Sequence, residues 1–300
     1  MQLGYIGLGK MGKNMVLHLL EKKHQIVAWN RSPEPREEVS QAGASAVETV
    51  ENVVKELASP RIIWLMLPSG ETTDNMIVKL SGLLSPGDTV IDGSNSFYQN
   101  TLKSAELLKE KHIHFLDAGV SGGPAGARGG ACVMVGGELE TFQKLEPLFT
   151  DIAAENAYRF FPGHGAGHFA KMVHNGIEYG MMQAIGEGFD ILKNAPFQYD
   201  LKQVAELYNQ QSVIESRLIG WLASGYQKHG NELEGISGSV GMLGEGQWTV
   251  ETAKAMKIPA PVIEAALQFR INSTNSPSYT GKVVSTLRNE FGGHEVKEKN

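Results

Sequence analysis

The opening residues Gln2-Leu3-Gly4-Tyr5-Ile6, running into Gly7-Leu8-Gly9-Lys10-Met11-Gly12, constrain this chain more than any other stretch. Residues 2–6 read as a short buried strand, and Asn14 to Glu21 as a helix. A G-x-G-x-x-G run is a weak signal by itself, but between a strand and a helix it marks a dinucleotide site. The glycines allow a tight turn and close backbone approach, and the helix N-terminus faces the pyrophosphate. Gly7, Leu8, Gly9, Lys10, Met11 and Gly12 are therefore the first candidate cofactor-binding residues. A second strand, Gln25 to Trp29, ends at Asn30-Arg31-Ser32 with no carboxylate. An acid there would bond the ribose hydroxyls of NAD. An arginine beside a hydroxyl suits a 2′-phosphate, so NADP is expected. The bland alternative is an Arg31 that is solvated or stacked on adenine.

The strand–helix alternation continues. Val47 to Leu57 reads as helix and Arg61 to Leu67 as a core strand ending at Pro68-Ser69-Gly70. Thr73 to Leu84 reads as helix, Thr89 to Asp92 as a strand ending at Gly93-Ser94-Asn95-Ser96, Leu102 to Lys111 as helix and His114 to Ala118 as strand. Such alternation gives a parallel, doubly wound sheet with ligands at the carboxyl ends of its strands. Leu67, Pro68, Asn95 and the next loop should then surround one cleft. That loop, Gly119 to Gly130, is rich in glycine. Its amides and the Ser121 hydroxyl could hold a carboxylate or a hydroxyl, though a plain flexible loop would look the same. Phe161-Pro162-Gly163 marks a boundary, after which only helices are expected: a long one over Ala166 to Leu192, then 201–208, 212–224, 249–256, 262–272 and 282–289. The expected architecture is an α/β Rossmann-type doubly wound domain over 1–162, followed by an all-α domain over 163–300.

Within the long helix, Lys171, His174, Asn175 and Glu178 (offsets 0, +3, +4 and +7) fall on one face at about 100° per residue. Phe169, Ala170, Met172, Val173, Ile177, Met181, Met182 and Ile185 flank that face, which predicts burial nearly all round. Buried charges need partners or a chemical task. A structural ion pair and a solvated face are the alternatives to a base-and-acid pair. Gly176, Gly180, Ala184 and Gly188 form a stripe opposite, which predicts another helix backbone laid against it, because glycine within a helix costs up to ~1 kcal/mol relative to alanine.

Composition narrows the classes further. A chain of 300 residues fits two domains, and a net charge of −6 lends no support to broad nucleic-acid binding. The lone Cys132 excludes an intramolecular disulfide framework and fits a reducing compartment. Among Ala131, Val133 and Met134 it reads as a packed strand thiol. The sequence shows no signal peptide, and no apolar run approaches the ~20 residues that span a bilayer, so a cytoplasmic chain without membrane partners is expected. His164 and His168 have a metal-ligand spacing, but no third ligand is evident and no metal is expected.

Taken together, the chain resembles the decarboxylating 6-phosphogluconate dehydrogenase family, in its shorter bacterial form and over its whole length. The most specific motif is Gly167-His168-Phe169-Ala170-Lys171-Met172-Val173-His174-Asn175-Gly176-Ile177-Glu178-Tyr179-Gly180. Related β-hydroxyacid dehydrogenases share the glycine motif, the Ser-Gly-Gly loop and the lysine, but usually follow that lysine with an Asn-Asn pattern. The resemblance implies Lys171 as general base and Glu178 as general acid. It implies Gly7 to Gly12, Asn30, Arg31, Ser32, Met66, Leu67, Pro68 and Asn95 at the cofactor, NADP with NAD possible. Asn95, Ser121, Gly122, Gly123, His174 and Asn175 would hold a phosphorylated sugar acid, with Tyr179 and Arg270 at its phosphate. Arg288 and His294 match the family's Arg-(five residues)-His tail, which comes from a neighbouring protomer there and so implies a homodimer or homotetramer. The chain departs from the long form's Lys-x-Thr and Gly-Lys-Trp-Thr elements. It reads Met242-Leu243-Gly244-Glu245-Gly246-Gln247-Trp248-Thr249, which leaves the phosphate-side replacement unassigned.

The implied reaction is the oxidative decarboxylation of 6-phosphogluconate to ribulose 5-phosphate. A neutral Lys171 would take the 3-hydroxyl proton, and Glu178 would later protonate C1. A free lysine titrates near ~10.4, so this role demands a drop of ~3 units, which desolvation and neighbouring positive charge would favour. The alternatives are a non-decarboxylating β-hydroxyacid dehydrogenase or imine reductase, and a catalytically silent dinucleotide-binding module.

Overall fold

The computed structural model describes residues 1–296. They divide into two compact units, Met1–Lys171 and the residues from Met172 onward. The division falls inside a helix, so the first turns of that helix belong to the first unit.

The first unit is built on one sheet. β1 (Gln2–Ile6) leads into α1 (Lys10–Glu21), then β2 (Gln25–Trp29), α2 (Pro33–Gln41), a two-residue β3 (Ser45–Ala46) and α3 (Val50–Glu56). β4 (Ile62–Leu65), α4 (Glu71–Ser81), β5 (Thr89–Asp92), α5 (Tyr98–Glu110) and β6 (His114–Ser121) follow. The unit continues with α6 (Gly123–Gly129), β7 (Ala131–Gly137), α7 (Leu139–Ile152) and β8 (Ala153–Pro162). Strand order is β3-β2-β1-β4-β5-β6-β7-β8. Pairing is parallel except between β6 and β7. The order reverses between β1 and β4, the switch point where doubly wound sheets bind ligands.

Alternation along each strand feeds two cores. Leu3, Tyr5, Trp64, Ile91 and Leu116 face α1 and α7 residues such as Met15, Leu19 and Phe149. Ile6, Val27, Ile63, Leu65 and Val90 face Val53, Ile77 and Leu108 on the other side. A sheet covered on both faces reads as near-continuous apolar runs. The same alternation corrects one expectation. Ala131, Val133 and Val135 point into the first core, so Cys132, one step out of phase, is exposed rather than packed.

The glycine-rich stretch is not a loop either. Gly119 to Ser121 complete β6, and Gly123–Gly129 form α6 with Pro124 in its first turn, where a missing N–H costs nothing.

The second unit is all helical among the described residues. α8 (Ala166–Lys193) enters it and is followed by α9 (Leu201–Tyr208), α10 (Arg217–His229), α11 (Glu245–Ala255), α12 (Pro261–Ser273) and α13 (Tyr279–Gly292). Their core joins Tyr179, Met182 and Phe189 of α8 to Leu222 and Tyr226 of α10 and to Val283, Val284 and Leu287 of α13. Capping sets boundaries that hydrophobic pattern did not. Ser216 accepts from Ile219 N at 3.2 Å and starts α10 later than expected, and Ser278 accepts from Gly281 N at 3.1 Å and starts α13 earlier.

The small-residue stripe behaves as expected only in its first half. A Cβ on Gly176 would come 2.5 Å from Thr249 Cγ2 of α11, and one on Gly180 would come 3.2 Å from Val262 Cγ1 of α12. Beyond that, Ala184 is exposed and Gly188 meets nothing within 4 Å. Nor is α8 buried all round, since Ile177, Met181 and Ile191 are 53%, 43% and 72% exposed.

Candidate active site

The turn after β1 has the form a dinucleotide pyrophosphate requires. Gly7 has φ +104°, and a Cβ there would collide with the Met66 carbonyl of the neighbouring strand end. A Cβ on Gly12 would collide with the Gly7 carbonyl, so α1 sits hard against the turn. Gly9, the N-cap, has nothing within 4 Å of its Cβ position and provides no side-chain cap. Its open side and the helix's first amides fit an anion. Asn30 Oδ1 accepts from Leu8 N at 3.0 Å, while Asn30 Nδ2 donates to Ser32 O at 3.2 Å. One amide thus fastens the end of β2 to the glycine turn and leaves Arg31 and Ser32 exposed beside it.

A buried network shapes the neighbouring strand ends. Asp92 is fully buried and accepts from Ser94 N at 3.0 Å and Ser96 Oγ at 2.8 Å. Ser94 Oγ in turn accepts from Leu67 N at 3.1 Å, and Thr73 Oγ1 donates to Pro68 O at 2.8 Å. Asn95 is therefore held half-buried between two buried serines, beside the Met66-Leu67-Pro68 strand end.

The start of α8 is anchored within the first unit. Asp117, fully buried in β6, accepts from Gly165 N at 2.7 Å and His168 N at 2.8 Å. A carboxylate at this end also opposes the helix dipole favourably. His168 Nδ1 lies 2.7 Å from Thr101 Oγ1, which gives that histidine a structural partner. Lys171 is 8% exposed, and its Cβ lies where a side chain on Gly119 would have to go. The lysine stem thus runs flat over the β6 backbone, two residues before Ser121. Sequence reasoning missed Asp117, Thr101 and Gly119. The available signal was a lone carboxylate inside the apolar strand His114-Phe115-Leu116-Asp117-Ala118.

The second unit gathers a different set. On α8, His174 Nδ1 lies 3.0 Å from Asn175 Oδ1 and 3.8 Å from Glu178 Oε2. Asn175 is buried, while the side chains of His174 and Glu178 retain 37% and 23% exposure. Deeper in, the Arg270 guanidinium lies over the Tyr179 ring, 3.3 Å from its centroid. Arg270 is 2% and Arg288 7% exposed. Burial pushes Arg270 down to about 10 and lowers Arg288 too, and repulsion between the two adds to the fall at Arg270. Burial raises the Tyr179 phenol. Two guanidiniums in one buried cluster are an expense that an anion would relieve.

The resemblance implied that Arg288 and His294 arrive from another protomer. Within this chain, α13 packs into its own unit's core and places Arg288 with Tyr179 and Arg270. His294, past the end of α13, sets its ring edge-on to Phe291 at 6.1 Å.

A doubly wound dinucleotide domain followed by a helical unit with a buried arginine pair defines a class of nucleotide-dependent oxidoreductases. The family models make it specific. Residues 2–163 match the NAD binding domain of 6-phosphogluconate dehydrogenase, and residues 167–298 match its C-terminal domain. The chain belongs to the 6-phosphogluconate dehydrogenase family. It is 44% identical over 299 residues to YqeC of Bacillus subtilis, a candidate 6-phosphogluconate dehydrogenase, covering 100% of each chain. It is 36% identical to the NAD(+)-dependent, decarboxylating enzyme of Haloferax volcanii, covering 100% of this chain and 99% of that one. Among solved structures, the 6-phosphogluconate dehydrogenase of Plasmodium falciparum superposes with a TM-score of 0.81 at 31% identity. That match covers 92% of this chain and 62% of that one. No helix among the described residues is long and apolar enough to cross a membrane.

Proposed function

We propose that this chain oxidises and decarboxylates 6-phosphogluconate to ribulose 5-phosphate, with NADP as the favoured cofactor and NAD accepted. The observation that carries the substrate class is the buried Arg270–Arg288–Tyr179 cluster. A small hydroxy acid has a single carboxylate and no second anionic group to meet such a cluster, whereas the phosphate monoester of a sugar acid is matched by guanidinium forks. Arg31 and Ser32 beside the glycine turn support the 2′-phosphorylated nucleotide, and the Haloferax relative's NAD dependence supports the second cofactor.

The bound nucleotide supplies the hydride acceptor. The chain's own residues do the rest. Lys171, its stem laid on Gly119, takes the 3-hydroxyl proton and then returns it to the carbonyl oxygen as carbon dioxide leaves. Glu178, two turns further along the same helix, protonates C1 of the enediol while the again neutral Lys171 takes the proton of that same hydroxyl, which gives the ketone. Asn95, Ser121, Gly122, Gly123, His174 and Asn175 orient the acid and hydroxyl groups, and Tyr179, Arg270 and Arg288 hold the phosphate, with His294 joining them. Carrying base and acid on one rigid element fixes their separation, as a two-step proton relay requires.

We further infer an assembly through α8. Ile177, Met181, Ala184, Gly188 and Ile191 recur at the 4-3-4-3 spacing of a coiled-coil seam and stay largely exposed. The seam borders an apolar groove of about 240 Å³ lined by Phe189, Leu192 and Ile219.

Initial rates with both nicotinamide nucleotides on 6-phosphogluconate, with released gas trapped, test the reaction. Carbon dioxide formed in step with reduced nucleotide, faster with NADP, is the expected result. Oxidation without carbon dioxide, or activity confined to hydroxyisobutyrate, would reverse the assignment.

A further inference from the structure

Glu245 opens α11 and is 6% exposed, although carboxylates are almost never buried without a reason. The segment that delivers it is fitted closely on both flanks. A Cβ on Gly241 would come 3.0 Å from the Arg288 guanidinium, and one on Gly246 would collide with the Tyr179 ring. Glu245 is therefore held by residues moulded to two members of the arginine–tyrosine cluster. Its charge is felt there, favouring the protonated form of Arg288 and of Tyr179. Arg270 and Arg288 bring two positive charges to that cluster; Glu245 acts on Arg288 more strongly than Glu178 does, and Glu178 also acts on Arg270. Such a carboxylate compensates the guanidiniums, and it opposes any anion that binds beside them.

We propose that Glu245 is a specificity-determining residue for the distal anion: it weakens the hold on a dianionic phosphoryl group and so narrows the preference for phosphorylated over unphosphorylated sugar acids. The inference rests on Arg270, Arg288 and Tyr179 being the phosphate pocket. Its advantage to an enzyme is release, because two guanidiniums with less opposing charge would retain the phosphorylated product. In a site of effective dielectric near 20, removing one opposing unit charge should strengthen anion binding about tenfold or more.

The test compares the full-length protein with Glu245→Gln and Glu245→Asp. Inorganic phosphate is titrated calorimetrically, and kcat/KM is measured for 6-phosphogluconate and for gluconate. Glu245→Gln should bind phosphate about tenfold tighter and raise the phosphorylated-to-unphosphorylated ratio of kcat/KM by a similar factor. Glu245→Asp, which keeps the charge, should stay within about threefold of the parent. Unchanged or weaker phosphate binding in a Gln variant with the parent's Tm overturns the proposal. Should that variant fail to fold, Glu245→Thr repeats the neutral comparison with the same two outcomes. If no variant, parent included, turns over either acid, the proposed reaction falls, and the phosphate titration still decides the role of Glu245.

Discussion

Lys171 illustrates how much one residue owes to its neighbours. An ammonium left 8% exposed is costly, and the chain meets that cost by laying the aliphatic stem along a strand backbone stripped of its side chain at Gly119. Lys171→Met keeps that packing and removes the amine. It should abolish most of kcat while leaving the Kd for NADP, read by nucleotide fluorescence, within about twofold, because the glycine turn that would hold the nucleotide is untouched. Unchanged turnover in that variant would end the assignment of Lys171 as base. The lysine was legible from the sequence because a charged residue among apolar helix positions is conspicuous. Gly119 was not, since a glycine in a glycine-rich stretch gives no sign of what passes over it.

At the scale of an element, α8 is a helix whose beginning is fixed by a single carboxylate. Asp117 takes two backbone N–H groups, from Gly165 and His168, that otherwise have no intrahelical acceptor. Asp117→Asn replaces a charged double acceptor with an amide that can accept at only one atom. It should lower stability by about 1–3 kcal/mol in denaturant titration. It should also cut kcat more than it raises KM, because Lys171 rides on the turns that Asp117 anchors. A variant with full stability and a normal kcat would show that the anchor is dispensable. The 3.6-residue pattern revealed the existence and length of α8, but not its anchoring. Periodicity reports which faces are apolar and is silent on where orphan N–H groups find acceptors. The same limit turned an expected loop into α6, where Pro124 and a tight backbone turn outweighed the low helix propensity of glycine.

For the whole molecule, the exposed seam on α8 bears on assembly. Ile177→Glu with Met181→Glu places two charges on that seam without touching a buried side chain. The doubly substituted protein should run as a monomer in size-exclusion chromatography with light scattering, where the parent runs as a dimer or larger, since an apolar seam tolerates no unpaired charge. An unchanged mass would remove this face from the interface. The α/β domain, the helical domain, the glycine turn and the polar face that carries the proposed base and acid could all be read from residue order, because each rests on local periodicity or on contiguous spacing. Residue order by itself did not bring Arg270, Arg288 and Tyr179 together, which only the resemblance implied; tertiary structure buried them in one cluster and added Glu245 to it. These residues lie on four different helices, and no local rule links positions so far apart in sequence. Only the packing of α8, α11, α12 and α13 around a shared core brings their charges within reach of one another.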